Sequence, residues 1–220
     1  LIDQMFTRFM PDLEKEQSLL RIGYRQITGV DEVGRGPLAG PVLGGAVILD
    51  PDTDPSDPWL NFLDDSKKLT HLQRMRANEM ILTKSLATSL GKCEPDEIDS
   101  LGISKASKVA MTRAIKGLNI IPDYLLIDYV ELVEANIPYT AIPKGDGKCY
   151  SIAAASIVAK VARDKIMVDA NDTFPGYHFD QHKGYGTSRH MKMLNLLGPS
   201  PIHRRSFAPV RRSLDSVQID

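Results

Sequence analysis

The stretch GVDEVGRGPLAGPVLGGAVIL, Gly29 to Leu49, sets two adjacent carboxylates, Asp31 and Glu32, in an apolar run and follows them at once with Gly34-Arg35-Gly36. Neighbouring carboxylates repel, and a buried charge costs on the order of several kcal/mol unless it is paired or bound to a metal. Two further acids stand at apolar runs: Asp128 within DYLLIDYV, and Asp146 in YTAIPKGDG, read as a strand that ends at Asp146. Carboxylates delivered from separate strand ends converge on one edge of an open sheet, the usual place for a site in an α/β protein. Their hard oxygens suit Mg²⁺ or Mn²⁺. Two such ions about 3.5 to 4 Å apart activate a water and stabilise the leaving oxygen in phosphodiester hydrolysis. Strand neighbours point to opposite faces, so Asp31 and Glu32 share a site only if the strand ends or bulges at Glu32. The same acids also read as exposed strand-end charges serving no site, and the pattern alone leaves both open.

Gly34-Arg35-Gly36 falls short of a dinucleotide fingerprint, because Ala39 stands where the third glycine of G-x-G-x-x-G belongs and a strand follows rather than a helix. Two readings remain: a tight hairpin connection, or a close backbone approach to a ligand with Arg35 on a phosphate. GDGKC, Gly145 to Cys149, misses a P-loop at Ile142 and at Cys149. His178 and His182 are four apart but have no glutamate or thiolate companion, so no metal is assigned to them. The absence of G-x-S-x-G argues against a serine hydrolase.

The elements that must position these residues are legible. Ile27–Val33 and Val42–Leu49 read as paired strands, Thr70 caps a helix running to about Leu82, and SLATSLGKC is a third strand. A helix is expected over about Ser104–Leu118, and the alanine-rich SIAAASIVAKVARDKI is a strong helix whose small residues permit close packing. In it, Asp164 sits four residues after Lys160, the spacing of a surface ion pair. This order implies a mixed sheet flanked by helices. Residues 1–26 read as an N-terminal arm, 27–180 as a catalytic domain and 181–220 as a basic helical extension.

The chain has 220 residues and a net charge of -1, so bulk charge announces no polyanion partner. Yet from Gln181 to Leu214 there is no Asp or Glu, while Lys183, Arg189, Lys192, Arg204, Arg205, Arg211 and Arg212 fall there. That is the composition of a phosphate-facing surface or of a solvated helix pair. Cys93 and Cys149 are too few for a disulfide framework and read as free thiols. No apolar run reaches 18 residues and the N-terminal stretch lacks a secretion signal, so a cytoplasmic protein without a membrane association is expected.

GVDEVGRGPLAGPV resembles the signature of ribonuclease HII, the bacterial type 2 ribonuclease H. The resemblance continues in order through DSKKLT, LLID, KGDGKCYSIAAASIVAKVARD, HKGYGT and HRRSFAPV. It implies an α/β ribonuclease H-like fold with a small C-terminal helical extension. It also implies a monomer that uses Mg²⁺ or Mn²⁺ to hydrolyse RNA in RNA/DNA hybrids and to incise 5′ of single ribonucleotides in duplex DNA. By motif match, Asp31, Glu32, Asp128 and Asp146 would be both the catalytic and the metal-holding acids. Gly34, Arg35 and Gly36 would hold the 2′-hydroxyl and phosphate, Lys67 a phosphate, and Tyr185 would pack on the adjoining sugar. Ribonuclease HIII is the related alternative, although it usually lacks arginine in this loop. From other classes, a hybrid-binding module would not need all four acids, and a 3′-exonuclease would not need the glycine loop or KGYGT.

Overall fold

The computed structural model describes residues 10–132 and 135–217. Of the N-terminal arm it shows helix α1 (Glu14–Arg21); residues 1–9, and 218–220 of the tail, lie outside the described residues. Strands β1 (Ile27–Val33) and β2 (Val42–Leu49) form an antiparallel pair, β3 (Ser85–Cys93) pairs antiparallel with β2, and β4 (Tyr124–Asp128) and β5 (Tyr139–Ile142) add in parallel beside β1. The five-stranded order is β3-β2-β1-β4-β5. The ends of β1, β4 and β5 therefore face the same way, as a site built from strand ends requires.

Helix α2 (His71–Lys84) starts where Thr70 predicts, with Thr70 Oγ1 accepting from the Gln73 amide and Gln73 Oε1 accepting from the Thr70 amide. Two short helices, α3 (Pro95–Leu101) and α4 (Ile103–Lys116), meet at Gly102. The sequence reading placed only the second. EPDE nevertheless carried a start signal, since Pro95 opens the helix and the Glu97 carboxylate accepts the Glu94 amide at 3.0 Å.

Helix α5 (Tyr150–Thr173) crosses one face of the sheet and α4 the other. The small residues of α5 let it come very close: a β-carbon on Gly29 of β1 would stand 2.0 Å from the Ser151 carbonyl carbon. On the α5 side, Ala153 to Val158 pack with Val47, Trp59, Leu60 and Ile81; on the α4 side, Met111 and Ile115 pack with Val30, Ala46, Leu125 and Ile127. Cys93 and Cys149 are free and buried.

Two expectations are corrected here. β5 stops at Ile142, so Asp146 does not end a strand; it sits in a single 3-10 turn, Gly145–Gly147, that leads into α5. β1 does not break or bulge at Glu32, but stays in register with β2 through Val33 opposite Leu43.

Beyond α5 come α6 (Phe179–His182), α7 (Ser188–Leu197) and α8 (Ala208–Val217). They are tied to the sheet domain by backbone bonds from Leu38 to Gly184, from Gly40 to Ile202 and from Arg204 to Leu38. Among the described residues no helix is long and apolar enough to cross a membrane.

Candidate active site

Three elements, β1, β4 and the turn before α5, bring the four acids together at one cleft. Pairing of β1 with β4 ends at Val30 opposite Ile127, so Asp31 and Glu32 project just past the parallel ladder, and Asp128 is the last residue of β4. No bulge turns Asp31 toward Glu32; its carboxylate instead accepts the Glu32 amide at 2.7 Å. Asp128 Oδ1 accepts the Gly145 amide at 2.6 Å, which fixes the turn carrying Asp146 against the end of β4. Glu32, Asp128 and Asp146 line a cleft of about 1030 Å³, together with Arg35, Asp65, Lys67, Lys68, Tyr129, Lys144 and Lys148. Asp31 is buried beside Glu32.

All four carboxylates bind protons more tightly than usual. Burial is the largest cause in each case. Repulsion from Glu32 and Asp128 adds to it at Asp31, and repulsion from Asp65 and Asp128 adds to it at Asp146. At Glu32 the Arg35 guanidinium opposes the rise, and at Asp128 the Gly145 amide does. Lys67 shows the same field from the other side. Burial works against its charge, but Asp146, Asp65, Asp31 and Asp128 outweigh it and raise its pKa.

The protein's own cations neutralise this cluster poorly. Lys67 stands 3.7 Å from Asp146 with its side chain 80% exposed, and Arg35 meets Glu32 Oε1 at 3.1 Å. Glu32 Oε2 is buried without a hydrogen-bond partner. An orphaned carboxylate oxygen among hard oxygen donors fits a divalent cation. Among the described residues no three His, Cys, Asp or Glu side chains form a ready-made ligand group. That is compatible with a small hard ion that keeps several waters and takes one or two carboxylates plus substrate phosphate, rather than an all-protein cage.

The Gly34-Arg35-Gly36 loop is held from behind by two fully buried arginines. Arg204 donates to the carbonyls of Gly34 (2.6 Å), Arg35 (3.0 Å) and Gly40 (2.9 Å). Arg163 donates to those of Pro41, Ala39 and Lys183 at 2.9 to 3.0 Å. A trans peptide points its C=O and N–H in opposite directions. Carbonyls drawn inward to Arg204 thus turn the amides of Arg35 and Gly36 outward. Gly34 needs to be glycine for the fold, with φ +95° and only 2.3 Å between a built β-carbon and Arg163 Nε. Gly36 does not: a β-carbon there would meet only the Tyr185 ring, at 3.8 Å.

That proximity places the two motifs expected at one sugar side by side. Tyr185 is 41% exposed, its backbone fixed by a 2.9 Å bond from its amide to the His182 carbonyl and one from His190 Nδ1 to its own carbonyl at 2.9 Å. His190 in turn meets His203 Nε2 to Nε2 at 3.0 Å, and His203 Nδ1 accepts from Ser200.

His182 is thus part of a buried packing cluster, and His178 lies against Arg189, so neither stands in the acid cleft. Arg204 is corrected from a surface cation to a buried brace. Asp164 is paired with Lys160 at 2.7 Å as expected, but Asp164 is buried and Lys160 half-buried rather than on the surface, with Arg74 at 4.0 Å. Asp65 was missed, although DSKKLT contains it; only the lysine of that motif suggested a phosphate contact. The two buried arginines were missed because charged side chains are almost never fully buried.

A family model described as ribonuclease HII matches residues 28–210. The chain is 42% identical to ribonuclease HII of Dehalococcoides mccartyi, over 94% of this chain and 97% of the relative. To ribonuclease HII of Nitrosococcus oceani it is 49% identical, over 87% and 93% respectively. The fold is similar to the crystal structure of ribonuclease H2 from Pyrococcus horikoshii, with TM-score 0.74 and 24% identity over 88% of this chain and 99% of that one. It is also similar to Bst-RNase HIII in complex with Mn²⁺, with TM-score 0.71 and 16% identity over 91% of this chain and 73% of that one.

Proposed function

This chain belongs to the ribonuclease HII family and is a type 2 ribonuclease H, an endonuclease that degrades RNA in RNA/DNA hybrids, and we propose that Asp31, Glu32, Asp128 and Asp146 are its catalytic acids. The observation that carries this reading is that Glu32, Asp128 and Asp146 line one cleft, with Asp31 buried within reach of their charges and a buried, unpartnered oxygen on Glu32. These four residues would hold Mg²⁺ or Mn²⁺, which supplies the Lewis acidity for activating water and compensating the leaving oxygen.

The rest of the chemistry belongs to the side chains and backbone around them. Lys67, exposed at the cleft and within 3.7 Å of Asp146, contacts a phosphate of the cut strand. Arg35 takes a second phosphate at the loop. The outward amides of Arg35 and Gly36 meet the 2′-hydroxyl, the one group that distinguishes RNA from DNA. Tyr185 packs on the neighbouring sugar, where its closeness to Gly36 puts it within reach of the same nucleotide. The exposed bases of the tail, Arg189, Lys192, Arg205, Arg211 and Arg212, position the duplex without reading its sequence.

On this reading the enzyme also cuts on the 5′ side of a single ribonucleotide in duplex DNA, leaving 3′-hydroxyl and 5′-phosphate ends. The test is an end-labelled duplex bearing one ribonucleotide, incubated with Mg²⁺, Mn²⁺ or EDTA. One internal cut that needs the metal is expected. A 2′,3′-cyclic phosphate product would overturn water as the nucleophile, and stepwise shortening from an end would overturn the endonuclease reading.

A further inference from the structure

Tyr129 follows Asp128 directly and adopts a backbone conformation that costs a tyrosine energy. Its φ is +57°, and the Val130 amide closes back on the Asp128 carbonyl at 2.6 Å, a three-residue turn of the rarer, strained kind. Glycine would adopt this turn more easily. Packing does not compensate the strain, because Tyr129 is 70% exposed. What it does is line the acid cleft. Of five non-glycine residues with positive φ among the described residues, Tyr129 and Lys144 both line that cleft, and backbone strain tends to collect at functional sites.

The surroundings define what the ring meets. Lys67, Lys68, Lys144 and Lys148 line the same cleft and suit a phosphate backbone. In an intact duplex the bases are stacked on one another, so the apolar surface offered to a side chain at the groove is the face of a sugar. We propose that Tyr129 is a substrate-binding residue whose ring packs against a sugar of the bound nucleic acid, beside the bond cut at Asp128. This rests on the assignment of the cleft as the nuclease site. It gives the site an aromatic contact on the β4 side, separate from Tyr185 in the loop after α6. The backbone has a simple reason to tolerate the turn: Tyr129 donates its amide to the Ile142 carbonyl at 3.1 Å, which carries the β4–β5 ladder one step past Asp128 and aims the side chain outward.

The test compares Tyr129→Gly and Tyr129→Phe with the wild-type chain, using a duplex with one ribonucleotide. Tyr129→Gly is expected to melt at the same or a higher temperature, since the turn is relaxed. Its KM should rise about 5-fold, the low end of what an aromatic contact to nucleic acid contributes because a sugar face is smaller than a base, with kcat within about 2-fold because only binding is lost. Tyr129→Phe should keep the wild-type KM. A wild-type KM in Tyr129→Gly would overturn the proposal, and so would a Tyr129→Phe as weak as Tyr129→Gly, which would assign the effect to the hydroxyl. A lowered melting temperature in Tyr129→Gly would show that the ring serves the fold instead. Failure of the wild-type chain to cut this duplex at all would strike the assignment of the cleft, not Tyr129.

Discussion

At the scale of single residues, the acid cluster and the glycine loop separate what the fold needs from what the chemistry needs. Burial and mutual repulsion raise the pKa of Asp31, Glu32, Asp128 and Asp146, so these carboxylates destabilise the metal-free protein at neutral pH. Asp128→Asn retains an oxygen for the Gly145 amide and removes one charge. Cleavage should fall by orders of magnitude while the melting temperature in EDTA stays level or rises; near-normal turnover would sink the role given to Asp128. The glycines divide in the same way. Gly34→Ala forces a β-carbon into Arg163 at positive φ and should destabilise the fold by roughly 1 to 3 kcal/mol. Gly36→Ala meets only the edge of Tyr185 and should leave the fold within about 0.5 kcal/mol. Its cost should appear in cleavage at a ribonucleotide, by roughly the 2- to 10-fold that one net hydrogen bond is worth. Thermal melts alongside single-turnover rates distinguish the two, and equal destabilisation by both would refute the division.

At the scale of elements, the segment least like an enzyme in the sequence supports the one that follows Asp146. α5 begins after Cys149, which offers no side-chain cap, so its first amides need partners from elsewhere. The stretch before β1 provides them. The Asp12 carbonyl accepts the Tyr150 amide at 3.1 Å, and the buried Glu16 carboxylate accepts both the amide and the hydroxyl of Ser151, at 2.9 and 2.6 Å. Burial pushes the Glu16 carboxyl up and leaves its Oε2 without a partner, so the cap acts through its acceptor oxygen rather than its charge, and an amide left unpaired in a buried place costs about 1 to 3 kcal/mol. Glu16→Ala should therefore lower the melting temperature by several degrees, about 2 to 4 °C per kcal/mol for a chain of this size. Glu16→Gln, which keeps the acceptor and drops the buried charge, should melt close to wild type. An unchanged melting temperature in Glu16→Ala would show that this cap contributes nothing. Nothing in the pattern of residues 1–26 announced this, because a cap supplied from 135 residues away leaves no local signal.

At the scale of the whole molecule, what was legible in the sequence is what neighbours in the chain decide. β1, β2 and β3 follow from apolar runs bounded by Gly, Pro and Asp, and α2 from its capping residue. The acids of β1 and β4 carried the expectation of Mg²⁺-type chemistry. What escaped depends on residues far apart: Arg204 reaching back to Gly34, Asp146 carried on a turn rather than a strand, and His182, His190 and His203 packed beneath Tyr185. The histidines set the protein's response to acid. The Tyr185 carbonyl can only accept, so His190 Nδ1 donates; His190 Nε2 then accepts from His203 Nε2, whose Nδ1 accepts from Ser200. Each ring must be neutral, and burial accordingly pushes His190 down to about 4 and His203 down to about 3. In the unfolded chain a histidine titrates near about 6.5. The stability these rings contribute is thus complete above pH about 6.5 and is lost as the pH falls from there toward 4, where the unfolded state takes up protons that the fold refuses. The four carboxylates act in the opposite sense: their raised pKa makes the fold gain stability as the pH falls and their repulsion is relieved. In EDTA the two trends oppose one another, so wild-type melting temperature should change little between pH 6.5 and 4.5. Asp31→Asn removes the most strongly perturbed acid and leaves the histidine trend exposed. Its melting temperature should start at or above wild type at pH 7 and fall more steeply on acidification, and a slope no steeper than wild type would refute the neutral histidine chain as the acid-sensitive part of the fold.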